Sequence, residues 1–187
     1  MKFVIGQKIG MTRVFDAEGK AIAVNMVRVL PMTVTRVKTV DSDGYTSVQV
    51  KAIEKMGEKE KVTRTCEFRI ENPEDYTSGQ VLENPLMAGE FVDVRGQTKG
   101  KGFAGTIKRH NFRRGPEGHG GNNVREPGSI GAQQPQRVIK GRRMAGHMGC
   151  EVITVKNLKV VDSSKDMLLI AGAIPGPRKT VLRIVND

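Results

Sequence analysis

Cysteine, aromatic residues and long apolar runs are all scarce in this chain. Its 187 residues include no tryptophan, two tyrosines, six phenylalanines and two cysteines. Cys66 and Cys150 are too few and too far apart for a disulfide framework, and they lack the paired-thiolate spacing of structural zinc. No apolar run approaches the ~18–20 residues a membrane-spanning helix requires, so no membrane partner is expected. Met1–Val29 has neither the charged-then-apolar layout of a secretory signal nor the Arg/Ser-rich character of a transit peptide. The expectation is a cytosolic protein. No serine stands with a histidine and an acid in a recognisable local arrangement, so no catalytic residue is assigned. No internal repeat of fixed period is visible.

What the chain does have is positive charge, and the charge is concentrated. Residues 95–150 contain twelve Lys/Arg against two Glu, a net of +10 out of a total of +11. All three histidines and 13 of the 22 glycines fall in the same window. The remaining 131 residues carry 19 basic and 18 acidic side chains, the balance of an ordinary soluble domain. Ordering backbone costs about 1–2 kcal/mol per residue, and the window has too few large apolar side chains to offset that by burial. Its folding is therefore expected to depend on an outside partner, and the charge identifies that partner as a polyanion.

On either side of the window the pattern is β. Met11–Phe15 and Ala21–Val29 flank the turn Asp16-Ala-Glu-Gly19. Thr33–Val40 and Tyr45–Val50 alternate with period two around Asp41-Ser-Asp-Gly44. The charged stretch Lys55–Lys61 reads as a loop or short helix. Asn72-Pro73-Glu74-Asp75 reads as a helix start that Gly79 stops early. Glu90–Val94, Glu151–Val161, Met167–Ile170 and Thr180–Val185 complete the strands. Short strands with turns every 8–12 residues predict a mainly β chain: a small closed barrel from 1–94 and 151–187, with little helix. Residues 95–150 then form a long, basic, Gly-rich loop inserted between two barrel strands.

Two patterns inside the window imitate enzyme sites. Gly100-Lys-Gly102-Phe-Ala-Gly105 matches the glycine spacing of a dinucleotide loop, and a nucleotide-dependent oxidoreductase is the rival reading. That fingerprint also needs a long helix and an acidic strand end about 20 residues on. Thr106–Phe112 leaves room for two turns at most, and neither Glu117 nor Glu126 lies in a strand. His147-Met-Gly-Cys150, with His110 and His119, could be gathered around zinc, but Cys66 is remote. No cofactor, metal or small-molecule substrate is assigned. A nucleic-acid surface needs none of these coincidences. Arginine forks bind phosphates and stack on bases. Phe103, Phe112 and the histidines offer faces to unpaired bases, as RNA recognition favours. The candidate RNA-binding residues are Lys99, Lys101, Lys108, Arg109, His110, Phe112, Arg113, Arg114, Arg125, Gln133, Gln134, Arg137, Lys140, Arg142, Arg143 and His147. A solvated basic tail is the plainer alternative. The window is internal, however, and interleaved with Ile107, Ile130, Val138, Ile139 and Met144. No recognition helix or finger pattern for duplex DNA is present.

Several motifs in order resemble the L-three family of large-subunit ribosomal proteins, in its bacterial form. Gly6–Phe15 looks like the family's opening, and Val92–His110 like the entry into its central extension. Pro127–Gly131 and Lys140–Gly149 are similar to the extension's return, and Gly172–Pro177 to the C-terminal signature. The resemblance implies a translation-protein-type β-barrel and a basic loop threaded into large-subunit ribosomal RNA toward the peptidyl-transferase region. It also implies a role in early assembly, contacts with neighbouring ribosomal proteins, and a cytoplasmic place in the large subunit. Gly115–Glu126 departs from the family's Ser/His-rich segment, and Ala132–Gln136 lacks its Thr-Pro-Gly step. Some relatives methylate a glutamine at this bend; Gln133 and Gln134 are both candidate equivalents.

Overall fold

A computed structural model describes residues 1–56 and 59–186. Its chain divides into one unit of Met1–Thr98 with the residues from Val152 onward, and a second of Lys99–Glu151. In the first unit, alternating apolar positions put one face of each strand inside. In β7 (Phe91–Gln97), buried Val92, Val94 and Gly96 alternate with positions turned outward. Six strands pair in the order β1 (Lys2–Phe15), β12 (Val181–Asn186), β7, β10 (Val152–Ser163), β11 (Met167–Ala171) and β2 (Ala21–Val29). Strand β2 bonds back to β1, so the sheet closes into a barrel without a free edge. Val4, Val27, Val92, Val94, Val160, Leu168, Ile170, Leu182 and Ile184 fill its interior.

A four-stranded sheet packs against the barrel, in the order β5 (Lys59–Arg69), β4 (Ser47–Met56), β3 (Met32–Lys38) and β6 (Val81–Leu82). Its apolar residues, among them Met32, Val34, Val48, Val50 and Phe68, merge with the barrel's into one core. Phe68 joins the two: its ring stacks on Phe3 of β1 with centroids 4.1 Å apart, and the Arg183 guanidinium of β12 lies 4.4 Å above it.

Three local expectations need correction. The first expected strand is Met11–Phe15, yet β1 begins at Lys2. Its first residues are covered on both faces, so Phe3, Val4 and Ile5 are all buried and alternation disappears. The stretch Lys55–Lys61, read as a loop or short helix, is strand at its described residues: Lys55 and Met56 end β4, and Lys59–Lys61 open β5. Gly57 and Glu58 lie outside the described residues. The backbone register sets Glu54 opposite Lys61 and Lys55 opposite Glu60, so the two strands continue to pair through a stretch without apolar period. Asp41–Gly44 is a single helical turn, α1 (Val40–Asp43), rather than a plain reverse turn. The Thr39 N–H donates to Ser42 Oγ at 3.3 Å, and Gly44 closes the turn at φ +80°. Pro73–Asp75 is one 3₁₀ turn, with Gly79 at φ +87°.

The motifs at the two ends of the sequence meet. Lys8 is buried, and its ammonium donates to the carbonyls of Ile174 at 2.9 Å and Gly176 at 3.0 Å. A buried charge is tolerable when hydrogen-bonded in this way. Gly176 sits at φ +88°, a conformation that favours glycine.

Gly96 is also fixed by space. A Cβ there would stand 2.6 Å from Leu182 Cδ2 and 2.9 Å from the Pro175 ring. Gly96→Ala should therefore destabilise the barrel by about 1–3 kcal/mol, as overpacking does. A denaturation midpoint equal to that of the parent protein would refute this. On the second sheet, Glu67 accepts from Lys38 at 2.8 Å and from Ser47 at 2.8 Å, and Lys38 also reaches Tyr45 Oη at 2.6 Å. The Lys38 ammonium, with help from Tyr45 and Ser47, pulls the Glu67 carboxyl down to about 2. A lowered carboxyl favours the folded state above the ordinary carboxylate range and loses that contribution as pH falls toward 2. NMR titration should place Glu67 there, and Lys38→Met should return it toward the ordinary range; an unmoved midpoint in the variant would contradict the assignment.

Candidate nucleic-acid interface

The second unit opens with two chain segments running antiparallel. Lys101 N–H donates to Met148 O at 2.9 Å, and Met148 N–H to Gly102 O at 2.9 Å. Beyond them β8 (Phe103–Ala104) pairs with β9 (Gly146–His147). Gly102 stands at φ +67°. A Cβ at Gly100 would lie 2.8 Å from Cys150 Sγ, so this glycine serves close packing of the two arms. One short helix follows, α2 (Thr106–His110), with Gly105 at its N-cap and Asn111 in the left-handed region at its C-cap. The glycines that imitate a dinucleotide loop are thus those of a two-armed stem.

Two of the sixteen candidate residues hold this stem together. Arg109 Nη1 donates to Met144 O at 2.9 Å, and His110 Nε2 lies 3.0 Å from the same oxygen. Both side chains are half-buried. Phe112 is half-buried beside His110, with ring centroids 6.1 Å apart. His147 is exposed, with its ring edge-on to Phe103, itself 71% exposed. The root of the extension is therefore ordered by its own bonds. The expectation of an outside partner concerns what lies beyond.

From Arg125 to Arg143 every residue is exposed, including Ile130, Val138 and Ile139. Gln133 and Gln134 both lie on this stretch, where Gln136 N–H bonds to Gln133 O at 3.2 Å. Arg142 donates to the Ser129 carbonyl, and Arg114 pairs with Glu117. Among the described residues, the side chains of Lys99, Lys101, Lys108, Arg113, Arg125, Arg137, Lys140 and Arg143 meet no acceptor. Nor does any cluster of three or more His, Cys, Asp or Glu come together there. What the unit offers chemically is a display of guanidinium and ammonium groups on polar, glycine-rich backbone, with one exposed aromatic ring at its root.

The family model for ribosomal protein L3 matches residues 10–167. Large ribosomal subunit protein uL3 of Heliobacterium modesticaldum is 45% identical over all of this chain and 97% of its own length. That of Syntrophomonas wolfei is 44% identical, covering all of this chain and 96% of its own. The Legionella pneumophila protein is 46% identical over 92% and 89% of the two chains. The chain belongs to the ribosomal protein L3 family. It is accordingly a bacterial-type ribosomal protein of the large subunit, a cytoplasmic particle, and not an enzyme. The rival oxidoreductase reading falls with that assignment. Membership of the L3 family also accounts for the order of motifs read along the sequence.

Sequence reasoning missed Gly149 and the Met144 carbonyl, which decide how the L3 stem closes. Backbone acceptors leave no trace in residue types, but a glycine in the return arm does. Gly149 stands at φ +81°, and a Cβ there would overlap Lys99 O. Gly149→Ala should force the arms apart and raise amide exchange at Lys101 and Met148 at least tenfold. Unchanged protection at those two amides would refute this account of the stem.

Proposed function

We propose that this chain is a structural constituent of the large ribosomal subunit that binds large-subunit ribosomal RNA directly through residues 99–151. The closed barrel, read as the translation-protein type, is the folded anchor. The basic extension threads into RNA toward the peptidyl-transferase region, supports early assembly and leaves other faces for neighbouring ribosomal proteins. Lys99, Lys101, Lys108, Arg113, Arg125, Arg137, Lys140 and Arg143 meet phosphates. Gln133 and Gln134 offer amides to base edges and 2′-hydroxyls, and His147 and Phe112 border unpaired bases. Arg109 and His110 shape the stem, while Arg114 and Arg142 exchange their intramolecular acceptors for RNA oxygens.

The observation that carries this reading is the uninterrupted exposure of 125–143 together with cations that meet no acceptor in the protein. A self-sufficient domain of this composition would neutralise such charges within itself or dilute them; a polyphosphate partner neutralises them on binding and releases counterions.

The triple change Arg137→Ala, Lys140→Ala, Arg143→Ala removes three such cations without touching the stem. Binding to large-subunit RNA should weaken, and the slope of log affinity against log salt should become shallower by about 2–3. The barrel's unfolding midpoint should stay where it was. Full affinity with an unchanged salt slope would overturn the assignment of these side chains.

A further inference from the structure

The barrel wall carries a second charge feature, away from any residue assigned above. On adjacent strands, the register sets Arg183 of β12 directly opposite Arg95 of β7. Thr154 of β10 faces Arg95 from the other side, so one outward row runs Arg183, Arg95, Thr154. Like charges directly opposite in a sheet repel. Neither guanidinium meets a carboxylate among the described residues. The nearby acids are committed elsewhere. Asp93 accepts the Asn157 N–H at 3.0 Å, and Glu67 is held by Lys38 and Ser47.

Arg183 is also fixed in place. Its guanidinium carbon lies 4.4 Å from the centroid of the Phe68 ring, a cation–π contact that holds the side chain against the sheet. Burial disfavours its charged form, as do Arg95 and Arg64, against the opposing pull of Cys66 and Glu67. These three strands form a shallow depression of about 180 Å³ lined by Asp93, Arg95, Thr154, Arg183 and Val185. It presents two planar forks and a hydroxyl to one small volume, a donor set that suits a tetrahedral oxyanion with several oxygens to satisfy.

We infer that this depression on the barrel wall seats a backbone phosphate of ribosomal RNA, as a contact separate from the extension. The inference rests on the proposed function, since the phosphate belongs to the same RNA. A single oxyanion between Arg95 and Arg183 turns a repulsive pair into a bridged one. An acidic protein segment is the competing occupant. It is disfavoured because Asp93 lines the same depression and would face the carboxylates of such a segment along its length, whereas a lone phosphate needs only the Arg95–Arg183–Thr154 side.

The test uses the full chain carrying a photo-crosslinking residue at position 154, assembled into large subunits. A parallel chain carries it at position 139 in the extension. Crosslinks to RNA from both positions are expected. RNA from 139 but only protein, or nothing, from 154 overturns this inference and leaves the proposed function intact. No RNA from either position overturns both. As a second measurement, Arg95→Gln, at an exposed position that leaves the Phe68 contact alone, should make the salt slope of RNA binding shallower by about 1. An unchanged slope in a folded variant counts against the site.

Discussion

The antiparallel pairing of β7 with β10 is the constraint on which the rest of this molecule depends. Gln97 faces Val152, Gly96 faces Ile153 and Arg95 faces Thr154, so chain leaving the barrel and chain returning to it are hydrogen-bonded neighbours. Each strand is also paired along its other edge, β7 to β12 and β10 to β11. The barrel can therefore hold everything between these strands as an insertion, and its closure does not rely on what the insertion does. Loop-closure entropy rises only slowly with length, so a long insertion at a fixed base costs the barrel little. Gly96 shows how tightly that base is built: the strand carries no side chain where Leu182 and Pro175 fill the space.

Much of this was legible in the sequence because barrel strands are buried on one face. Thr33–Val40 and Tyr45–Val50 read as strands by alternation, and Ala21–Val29, Glu90–Val94 and Met167–Ile170 as short runs between turns; β3, β4, β2, β7 and β11 stand there. The signal failed where its physical premise failed. Phe3 packs on Phe68 and Tyr76 while Val4 and Ile5 are equally buried, so β1 starts as a continuous apolar run. At Glu54–Met56 and Lys59–Lys61 the strands pair by backbone register without any apolar period in the sequence to announce them. Of the candidate interface, the basic residue types were readable but their partners were not. Arg109 and Lys108 look alike as letters, yet the first is spent on the Met144 carbonyl and the second is exposed without an acceptor.

Charge is distributed according to which part must stand alone. The barrel and its second sheet balance their charges internally, with pairs such as Lys2–Glu90, Arg36–Asp43, Lys38–Glu67 and Lys165–Glu83. Exposed pairs of this kind are worth little in stability. Their consequence is a folded body without strong self-repulsion. In the extension Arg114 and Glu117 form such a pair, against twelve Lys/Arg and two Glu over residues 95–150. The surplus there repels itself along an exposed chain.

Backbone conformation supports the same division. Left-handed φ values in the extension occur at Gly102, Gly120, Gly128, Gly141 and Gly149, where glycine adopts them freely. They also occur at His119 and Gln136, exposed residues for which that region costs roughly 1–2 kcal/mol. Such conformations persist where surrounding structure over-determines them. Around Asn111 the surroundings belong to the protein, since its N–H closes α2 on Ile107 O at 3.0 Å. Around Gln136 a lone bond to Gln133 O, at 3.2 Å, is the local support, and the flanking side chains face solvent. On the proposed reading the remaining determination comes from RNA, whose phosphates and bases occupy the space that barrel side chains fill around Gly96. On that reading the same chain solves one problem twice: its barrel is shaped by internal apolar packing, its extension by a partner of opposite charge.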